Sequence, residues 1–176
     1  YQPLSRVLHF EGVTAGRDGG DVAQTGMKRF QAINQHQFFD RWREVLARHG
    51  VRGEDLEQQK ERQVRRRALV VDLYVPTPDK ESGSLRLVNL FALLGELGFK
   101  VTFAAANLEA PQPYVTDLQR QGVEVLYRPY IKSLAHHLKA RGGEYDLVIL
   151  SRADTAARFM ALARRHCPRA RLIFDT

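Results

Sequence analysis

The sequence predicts an α/β fold for residues 68–176, a Rossmann-like doubly wound parallel sheet. Five short apolar segments alternate there with four segments of helical periodicity, which is the order of a chain built from β-α-β units. The apolar segments show little alternation of polar and apolar residues, as is typical of parallel strands buried on both faces. A small strand–loop–helix appendage is expected to precede this domain.

The appendage is expected to be irregular at first and helical afterwards. A strand is predicted over residues 4–10, followed by a long glycine-rich loop. Asn34 is expected to cap a helix that runs to about His49. Residues 51–67 are polar and basic and are expected to form a linker or a short helix. The apolar stripe of the helix is interpreted as core packing; its residues are Phe38, Trp42, Val45 and Leu46.

Apolar runs and the residues that stop them define the elements of residues 68–176. The predicted strands cover residues 68–75, 100–106, 123–127, 145–150 and 171–174. The predicted helices cover residues 85–97, 113–122, 130–141 and 154–166. Pro113 can begin its helix because its missing N–H costs nothing in the first turn. Asp154 is expected to cap the last helix, and Pro168 forbids its continuation.

Charge and cysteine content exclude several classes of protein. The chain has 27 Lys and Arg against 20 Asp and Glu, a net charge of +7, and the excess is spread along the sequence. The one dense basic run, at residues 65–67, is interpreted as a solvated linker or helix face, with an attraction to phosphates or anionic lipid as the alternative. No RNA-binding motif, zinc finger or basic zipper accompanies it, so no nucleic-acid partner is expected. The single cysteine, Cys167, excludes an internal disulfide framework and indicates a reducing compartment.

The ends of the sequence raise the expectation of a longer protein. The chain opens at Tyr1 without a methionine and stops at Thr176, directly after a predicted strand. No apolar run comes near the roughly 20 residues needed to cross a bilayer.

The loop after the first predicted strand is the main candidate site. Ser82, Gly83 and Ser84 are expected just ahead of a helix, where free N–H groups and the positive end of the helix dipole can hold an anion. Arg86 adds a full positive charge. The loop lacks the G-x-G-x-x-G fingerprint and the P-loop ending, which disfavours dehydrogenases and ATPases. A plain helix cap is the alternative interpretation.

Other potentially reactive side chains are given structural roles. His136 and His137 are adjacent on a predicted helix and are interpreted as surface residues. Cys167 has no nearby partner for a nucleophilic pair and is interpreted as packing. Asp72, Asp154 and Asp175 fall at or near strand ends, but no pair of carboxylates can be assigned as acid and base. Ligands of such sheets bind beyond the carboxyl ends of the strands.

Several motifs of residues 68–176 resemble the opening of bacterial family-4 glycosyltransferases. They are Ala68-Leu-Val-Val-Asp72, Val75-Pro-Thr-Pro-Asp79, Ser82-Gly-Ser-Leu-Arg86, Leu94-Gly-Glu-Leu-Gly98-Phe-Lys-Val-Thr-Phe103, Leu118-Gln-Arg-Gln-Gly122-Val-Glu-Val-Leu126 and Tyr145-Asp-Leu-Val-Ile-Leu-Ser-Arg152. The resemblance implies a GT-B enzyme, in which two Rossmann-like domains face each other across a cleft. The first domain mainly holds the acceptor, and the second carries most contacts to the nucleotide-sugar.

The resemblance also implies which residues border the cleft. Gly83 and Ser84 correspond to a glycine loop near the donor phosphates, and Ser151, Arg152 and Asp175 border the cleft. The usual Gly-Gly pair of that loop is Ser82-Gly83 here, a departure that weakens the match at the phosphates.

The first third is similar to the end of family-2 glycosyltransferases of the GT-A type. The similar stretches are residues 1–16, 26–34 and 39–43. In that family a late His-x-x-Gly histidine commonly binds the divalent cation, Mg²⁺ or Mn²⁺, that bridges the donor diphosphate. His9 matches that position, and a structural role at the end of a strand is the alternative. The family's Asp-x-Asp motif and catalytic carboxylate have no counterpart in this sequence.

Together the resemblances imply a junction from a multidomain glycosyltransferase that builds bacterial surface polysaccharides such as O-antigen. Residues 1–50 would be the tail of one catalytic module, and residues 51–67 would be the linker to the next module. Residues 68–176 would be the acceptor-binding half of that second module. The expected ligands are a nucleotide-sugar and a glycan or lipid-linked acceptor. A divalent cation, Mg²⁺ or Mn²⁺, is expected for the GT-A module of the parent protein, and no cofactor is expected in the fragment itself. The expected surroundings are the cytoplasm beside the inner face of the membrane, with peripheral association and contacts to the remaining parent domains. The fragment alone is expected to be inactive.

Two other classes stay open. One is a non-catalytic Rossmann-like binding or regulatory module, such as a receiver-like domain, which Asp72 at the end of the first strand suggests. The third strand ends at Leu126-Tyr127-Arg128 without a phosphorylatable aspartate, which disfavours a receiver. The other class, an enzyme with a nucleotide cofactor, is disfavoured by the missing fingerprint.

Overall fold

The computed structural model describes Leu8, residues 27–50 and residues 59–176. The chain divides into two compact units, one of which ends at Arg62 while the other contains residues 63–176. This division falls inside the segment 51–67 that was expected to be a linker. Apart from Leu8, the strand predicted over residues 4–10 lies outside the described residues.

Helix α1, Met27–Leu46, is the main element described in the first unit. The predicted start at Asn34 is wrong, because the helix already runs through Met27 and no glycine or proline interrupts it. The predicted core packing of its stripe is also wrong. The side chains of Phe38, Trp42 and Val45 are 55%, 42% and 45% exposed. Helical periodicity reveals an apolar face but does not reveal what covers it.

The second unit is built on a five-stranded, all-parallel sheet, which confirms the predicted α/β, Rossmann-like fold class. Its strands lie in the order β3-β2-β1-β4-β5. That is the order of the first five strands in the doubly wound Rossmann sheet. The strands are β1 Arg66–Asp72, β2 Phe99–Ala105, β3 Glu124–Leu126, β4 Leu147–Ser151 and β5 Arg171–Asp175.

Four helices connect these strands, as predicted, but with different starting points. They are α2 Ser82–Glu96, α3 Tyr114–Arg120, α4 Leu134–Arg141 and α5 Ala153–His166. Helix α4 begins later than expected because Ser133 caps it, its Oγ accepting from the His136 N–H at 3.1 Å. Gly98 and Gly122 follow α2 and α3 with φ of 80° and 83°, a conformation that glycine adopts without strain.

Two apolar clusters cover the two faces of the sheet. Ala68 and Val70 of β1 pack on one face with Phe91 of α2. Leu69 and Val71 pack on the other face with Phe159 of α5. All four β1 residues are fully buried, which explains the unbroken apolar run.

Strand β5 is buried less than the sequence pattern predicts. Ile173 and Phe174 are 45% and 47% exposed. Among the described strands β5 pairs only with β4 and lies at the end of the sheet. Burial on both faces therefore holds for the central strand and not for this edge.

The direction of winding changes between β1 and β4. These two strands are neighbours, yet β1 leads through α2 to β2 on one side and β4 leads through α5 to β5 on the other. In open parallel sheets such a point forms a crevice at the carboxyl ends of the strands, where ligands bind. The residues that follow Asp72 and Ser151 lie at this crevice.

Candidate functional site

Ser82, Gly83 and Ser84 form the first turn of α2 rather than a loop ahead of it, which corrects the prediction from sequence. Glu81 is the last residue with an extended backbone, and its carbonyl accepts from the N–H groups of Ser84 and Leu85 at 3.1 and 3.2 Å. The Ser84 hydroxyl in turn donates to Glu81 Oε2 at 3.0 Å. The helix can therefore begin three residues earlier than the apolar pattern suggests.

Arg152 joins three elements at the crevice. It precedes α5, its Nε lies 3.0 Å from Asp72 Oδ1 at the end of β1, and its Nη2 donates to Glu81 Oε1 at 2.9 Å. Its backbone N–H donates to the carbonyl of Asp175 at 2.8 Å. The predicted cap at Asp154 is wrong, because the helix begins at Ala153 and Asp154 lies inside its first turn, with no side-chain cap at Arg152.

Asp72 is a buried carboxylate that depends on these contacts. Only 6% of the residue is exposed, and burial raises its pKa. The Leu73 N–H, which donates to Oδ1 at 2.7 Å, and the Arg152 guanidinium oppose that rise in pKa. A carboxylate at this depth requires such partners because its charge is removed from water.

Arg86 and Asp175 form a second ion pair, between α2 and β5. The guanidinium donates through Nη1 to Oδ1 at 3.0 Å and through Nη2 to Oδ2 at 2.5 Å. This two-pronged geometry fixes the orientation of both groups more firmly than a single contact would. The hydrogen bonds to Asp175 raise the pKa of Arg86 further above its ordinary value.

The structure brings most of the residues predicted for the site into these contacts. Ser84 and Arg152 meet at Glu81, and Arg86 meets Asp175. Ser82 and Gly83 lie in the exposed first turn of α2. Ser151 ends β4, but it is only 6% exposed and thus contributes mainly to the sheet.

The sequence does not predict that Glu81 belongs to the site, and it predicts no ion-pair partner for Asp72. The need of Asp72 for a partner could have been predicted, because a carboxylate at the end of a buried apolar strand requires a positively charged partner. Glu81 gave no comparable signal, because glutamate is not among the favoured N-cap residues. Its partner Arg152 is 71 residues away in sequence.

The charges at the crevice nearly compensate one another. Two arginines, Arg86 and Arg152, face three carboxylates, those of Asp72, Glu81 and Asp175. The side chains of Arg86, Arg152 and Glu81 remain 57%, 40% and 49% exposed. The crevice thus presents guanidinium donors and a carboxylate acceptor that are paired with one another and partly exposed.

No group of three or more potential metal ligands occurs within residues 27–50 and 59–176. His9, the predicted ligand of a divalent cation, lies outside the described residues. Asp72 and Glu81 both contact the single guanidinium of Arg152.

His137 is buried, contrary to the surface position predicted for it. It is 7% exposed, and its Nε2 lies 2.7 Å from the hydroxyl of Tyr145. Burial, followed by the nearby charge of Arg141, lowers the pKa of His137 to about 4. Cys167 is 2% exposed, and burial raises its pKa to about 11. The predicted packing role of the cysteine is therefore confirmed.

None of the described helices has both the length and the apolar character that a membrane span requires. Comparisons with protein-family models, with curated proteins and with solved structures found no match to this chain.

Proposed function

We propose that residues 68–176 are the acceptor-side half of a GT-B glycosyltransferase. The whole enzyme would transfer a sugar from a nucleotide-sugar to a growing bacterial surface polysaccharide or a lipid-linked acceptor. The motifs that resemble family-4 enzymes support this proposal, and the parallel sheet in the order β3-β2-β1-β4-β5 is compatible with it. The observation that carries it is the cluster of partly exposed carboxylates and guanidiniums at the β1–β4 crevice.

The chemistry of this cluster suits an acceptor with several hydroxyl groups. The carboxylate of Glu81 can accept hydrogen bonds from hydroxyls, and the guanidiniums of Arg86 and Arg152 can donate to hydroxyl oxygens. The N-terminal turn of α2, with Ser82 and Gly83, provides N–H groups and a positive dipole end beside the same crevice. In the whole enzyme this end would help to stabilise the departing nucleotide diphosphate.

The remaining parts of the proposal rest on resemblance alone. Residues 1–50 would be the tail of a GT-A module in which His9 helps to hold Mg²⁺ or Mn²⁺. Most donor contacts of the GT-B module would come from a second Rossmann-like domain in the parent protein. Such an enzyme would work in the cytoplasm beside the membrane.

A binding titration tests the proposal on the chain as it stands. We expect nucleotide-sugars and oligosaccharide acceptors to cause saturable NMR shifts at Gly83, Arg86 and Arg152. Gly83→Val should weaken this binding, because the added side chain would stand in the exposed first turn of α2. The control is Gly95→Val, at the other end of the same helix, where an added Cβ meets nothing within 4 Å.

Two outcomes would count against the proposal. The first is the absence of saturable shifts at the crevice with any sugar ligand. The second is an equal loss of binding in Gly83→Val and Gly95→Val, which would indicate a general effect on the helix.

A non-catalytic Rossmann-like binding module is the second candidate. It is favoured by the contacts already described, in which both arginines are paired with carboxylates of the same chain. A receiver-like version is disfavoured, because receiver domains have the strand order 2-1-3-4-5 and this sheet has 3-2-1-4-5. Binding of one small metabolite with no binding of sugars would favour this candidate.

A further inference from the structure

Arg152 is shared by two carboxylates that differ in burial. Its Nε lies 3.0 Å from Asp72 Oδ1, and its Nη2 lies 2.9 Å from Glu81 Oε1. Asp72 is buried, whereas about half of the Glu81 side chain is exposed. Water can replace a lost partner at an exposed carboxylate but not at a buried one. Asp72 therefore requires the guanidinium, and Glu81 does not.

Contacts other than the one to Glu81 hold Arg152 in place. Its side chain is anchored by Asp72, and its backbone N–H donates to the carbonyl of Asp175 at 2.8 Å. A guanidinium has five N–H groups. Within the described part of the chain, its contacts use Nε and Nη2 and leave Nη1 without a partner. A guanidinium that is 40% exposed and held in this way can donate to an anion in the crevice.

The carboxylate of Glu81 bridges Arg152 and the first turn of α2. Its Oε1 contacts the guanidinium, and its Oε2 accepts from the Ser84 hydroxyl at 3.0 Å. A Cβ added at Gly83 would lie 3.9 Å from Oε1, so the carboxylate also lies beside this glycine. The hydrogen bonds from Arg152 and Ser84 lower the pKa of Glu81, which is therefore negatively charged at neutral pH. An anion that approaches Arg152 meets this charge.

We propose that Glu81 is an internal competitor for the anion-binding position at Arg152, and that a diphosphate group displaces its carboxylate. A phosphate oxygen can accept from the same two donors, Arg152 and the Ser84 hydroxyl, which Glu81 now occupies. A diphosphate carries more negative charge and more oxygens than a carboxylate. The pair that must break is exposed, and exposed ion pairs contribute little to stability.

This inference rests on the proposed function and deepens it. A diphosphate occurs both in nucleotide-sugars and in lipid-linked acceptors, the two ligands proposed for the whole enzyme. Glu81 would keep Arg152 occupied until such a group enters the crevice. The carboxylate thus acts as an autoinhibitory contact whose strength sets the affinity of the crevice for diphosphates.

Calorimetric titration of the 176-residue chain with inorganic pyrophosphate, without divalent cations, tests the competition. Glu81→Gln keeps the shape of the side chain but removes its charge, and it should tighten binding about threefold or more. The matched control is Glu96→Gln, which removes the same charge from the last residue of the 15-residue helix α2. It should leave the affinity nearly unchanged, because about 20 Å of helix separates it from the crevice and salt screens charges beyond about 10 Å.

Circular dichroism checks that both variants keep their fold. Three results would overturn the proposal. They are pyrophosphate binding that is unchanged or weaker in Glu81→Gln, equal tightening in both variants, and no binding to Glu81→Gln at millimolar concentrations.

NMR signals of the Arg152 guanidinium locate the bound anion. In Glu81→Gln, pyrophosphate should shift these signals with the same affinity that the calorimetric titration gives. Saturable shifts at other residues without a shift at Arg152 would place the anion elsewhere and contradict the proposal.

Two further ligands distinguish the sources of the diphosphate. Uridine diphosphate represents a nucleotide source and geranyl diphosphate a lipid source, and tighter binding of either one to Glu81→Gln than to the wild-type chain supports the proposal. Sugar titrations separate it from the proposed function. If pyrophosphate binds Glu81→Gln more tightly but no sugar binds at the crevice, the competition stands and the proposed function fails. If sugars bind there and Glu81→Gln leaves pyrophosphate binding unchanged, the competition alone is wrong.

Discussion

At the scale of single residues, Arg152 shows how a side chain can stabilise an unusual backbone. Its φ of 73° and ψ of 148° lie outside the regions that residues other than glycine normally adopt. Such a conformation costs about 1–3 kcal/mol and persists only where contacts hold it. Here the contacts come from the carbonyl of Asp175 and from the carboxylates of Asp72 and Glu81. The side chain thus contributes to the geometry of the crevice as well as to its charge.

The first prediction concerns the loss of this side chain. Arg152→Ala should lower the free energy of unfolding at pH 7 by about 1–2 kcal/mol, since it leaves the buried Asp72 carboxylate without its counter-charge. We expect a smaller loss of unfolding free energy than for a fully buried ion pair, because 40% of the Arg152 side chain is exposed. Urea unfolding followed by circular dichroism measures it.

Two further variants separate this effect from a general effect of arginine removal. Arg164→Ala, on the exposed face of α5, should change stability by less than about 0.5 kcal/mol. Asp72→Asn added to Arg152→Ala should recover part of the loss, since the unpaired buried charge is then gone. Equal stabilities of Arg152→Ala and Arg164→Ala would show that Asp72 does not depend on the pair.

The second prediction concerns His137 and pH. Its pKa is about 4 in the folded chain against an ordinary value of 6.5. Between these pH values the unfolded chain binds more protons than the folded one, so stability falls as the pH is lowered from 6.5 to about 4. The full difference in pKa corresponds to about 3 kcal/mol.

Urea midpoints measured between pH 7.5 and pH 4 test this dependence. His137→Gln should remove most of the loss of stability in that window, while His136→Gln, at the exposed neighbouring position, should retain it. A wild-type slope that persists in His137→Gln would assign the pH dependence to other groups.

At the scale of elements, the sequence predicts the interiors of the helices and strands better than their ends. The centre of every predicted helix and strand within residues 68–176 lies inside the corresponding element. The apolar pattern predicts the start of α2 three residues too late, because the first turn is held by polar contacts between Glu81 and Ser84, ahead of the first apolar residue of the helix, Leu85. Apolar periodicity reports packing, whereas helix ends depend on local polar contacts.

The third prediction compares two adjacent glycines in the 3-10 turn Gly142–Glu144 that follows α4. A Cβ at Gly142 would lie 2.4 Å from the carbonyl oxygen of His166 at the end of α5, but a Cβ at Gly143 would meet nothing within 4 Å. Gly142→Ala should therefore destabilise the chain by about 1–3 kcal/mol, because backbone must shift to admit the methyl group.

Gly143→Ala is the matched control and should be neutral or slightly stabilising, because it restricts the unfolded chain without a clash. Thermal unfolding of both variants under identical conditions measures the difference. If the two variants melt at the same temperature, the turn is not packed closely against the end of α5.

At the scale of the whole molecule, the sequence predicts the fold class, but it predicts only some of the contacts that form the site. Buried apolar runs that alternate with helices specify a parallel sheet, and the binding edge follows from that class of fold. The adjacency of β1 and β4, which joins Asp72 to Arg152, depends on a crossover that no local pattern records. The exposure of Ile173 and Phe174 in β5 could not be predicted for a related reason, since the apolar run of this strand resembles those of the buried strands.

The last prediction is that residues 63–176 fold on their own. Both apolar clusters of the sheet, with the residues packed against them, are made up of residues between Ala68 and Leu172. A single core of this kind unfolds cooperatively in most domains of this size. A shortened chain that begins at Gln63 should therefore give one cooperative urea transition, with a midpoint close to that of the main transition of the full chain. A chain shortened further, to begin at Leu69, removes the first three residues of β1, which pair with Phe99, Lys100 and Val101 of β2, and should be clearly less stable. If the chain that begins at Gln63 shows no cooperative transition, the preceding residues are required for the sheet to fold.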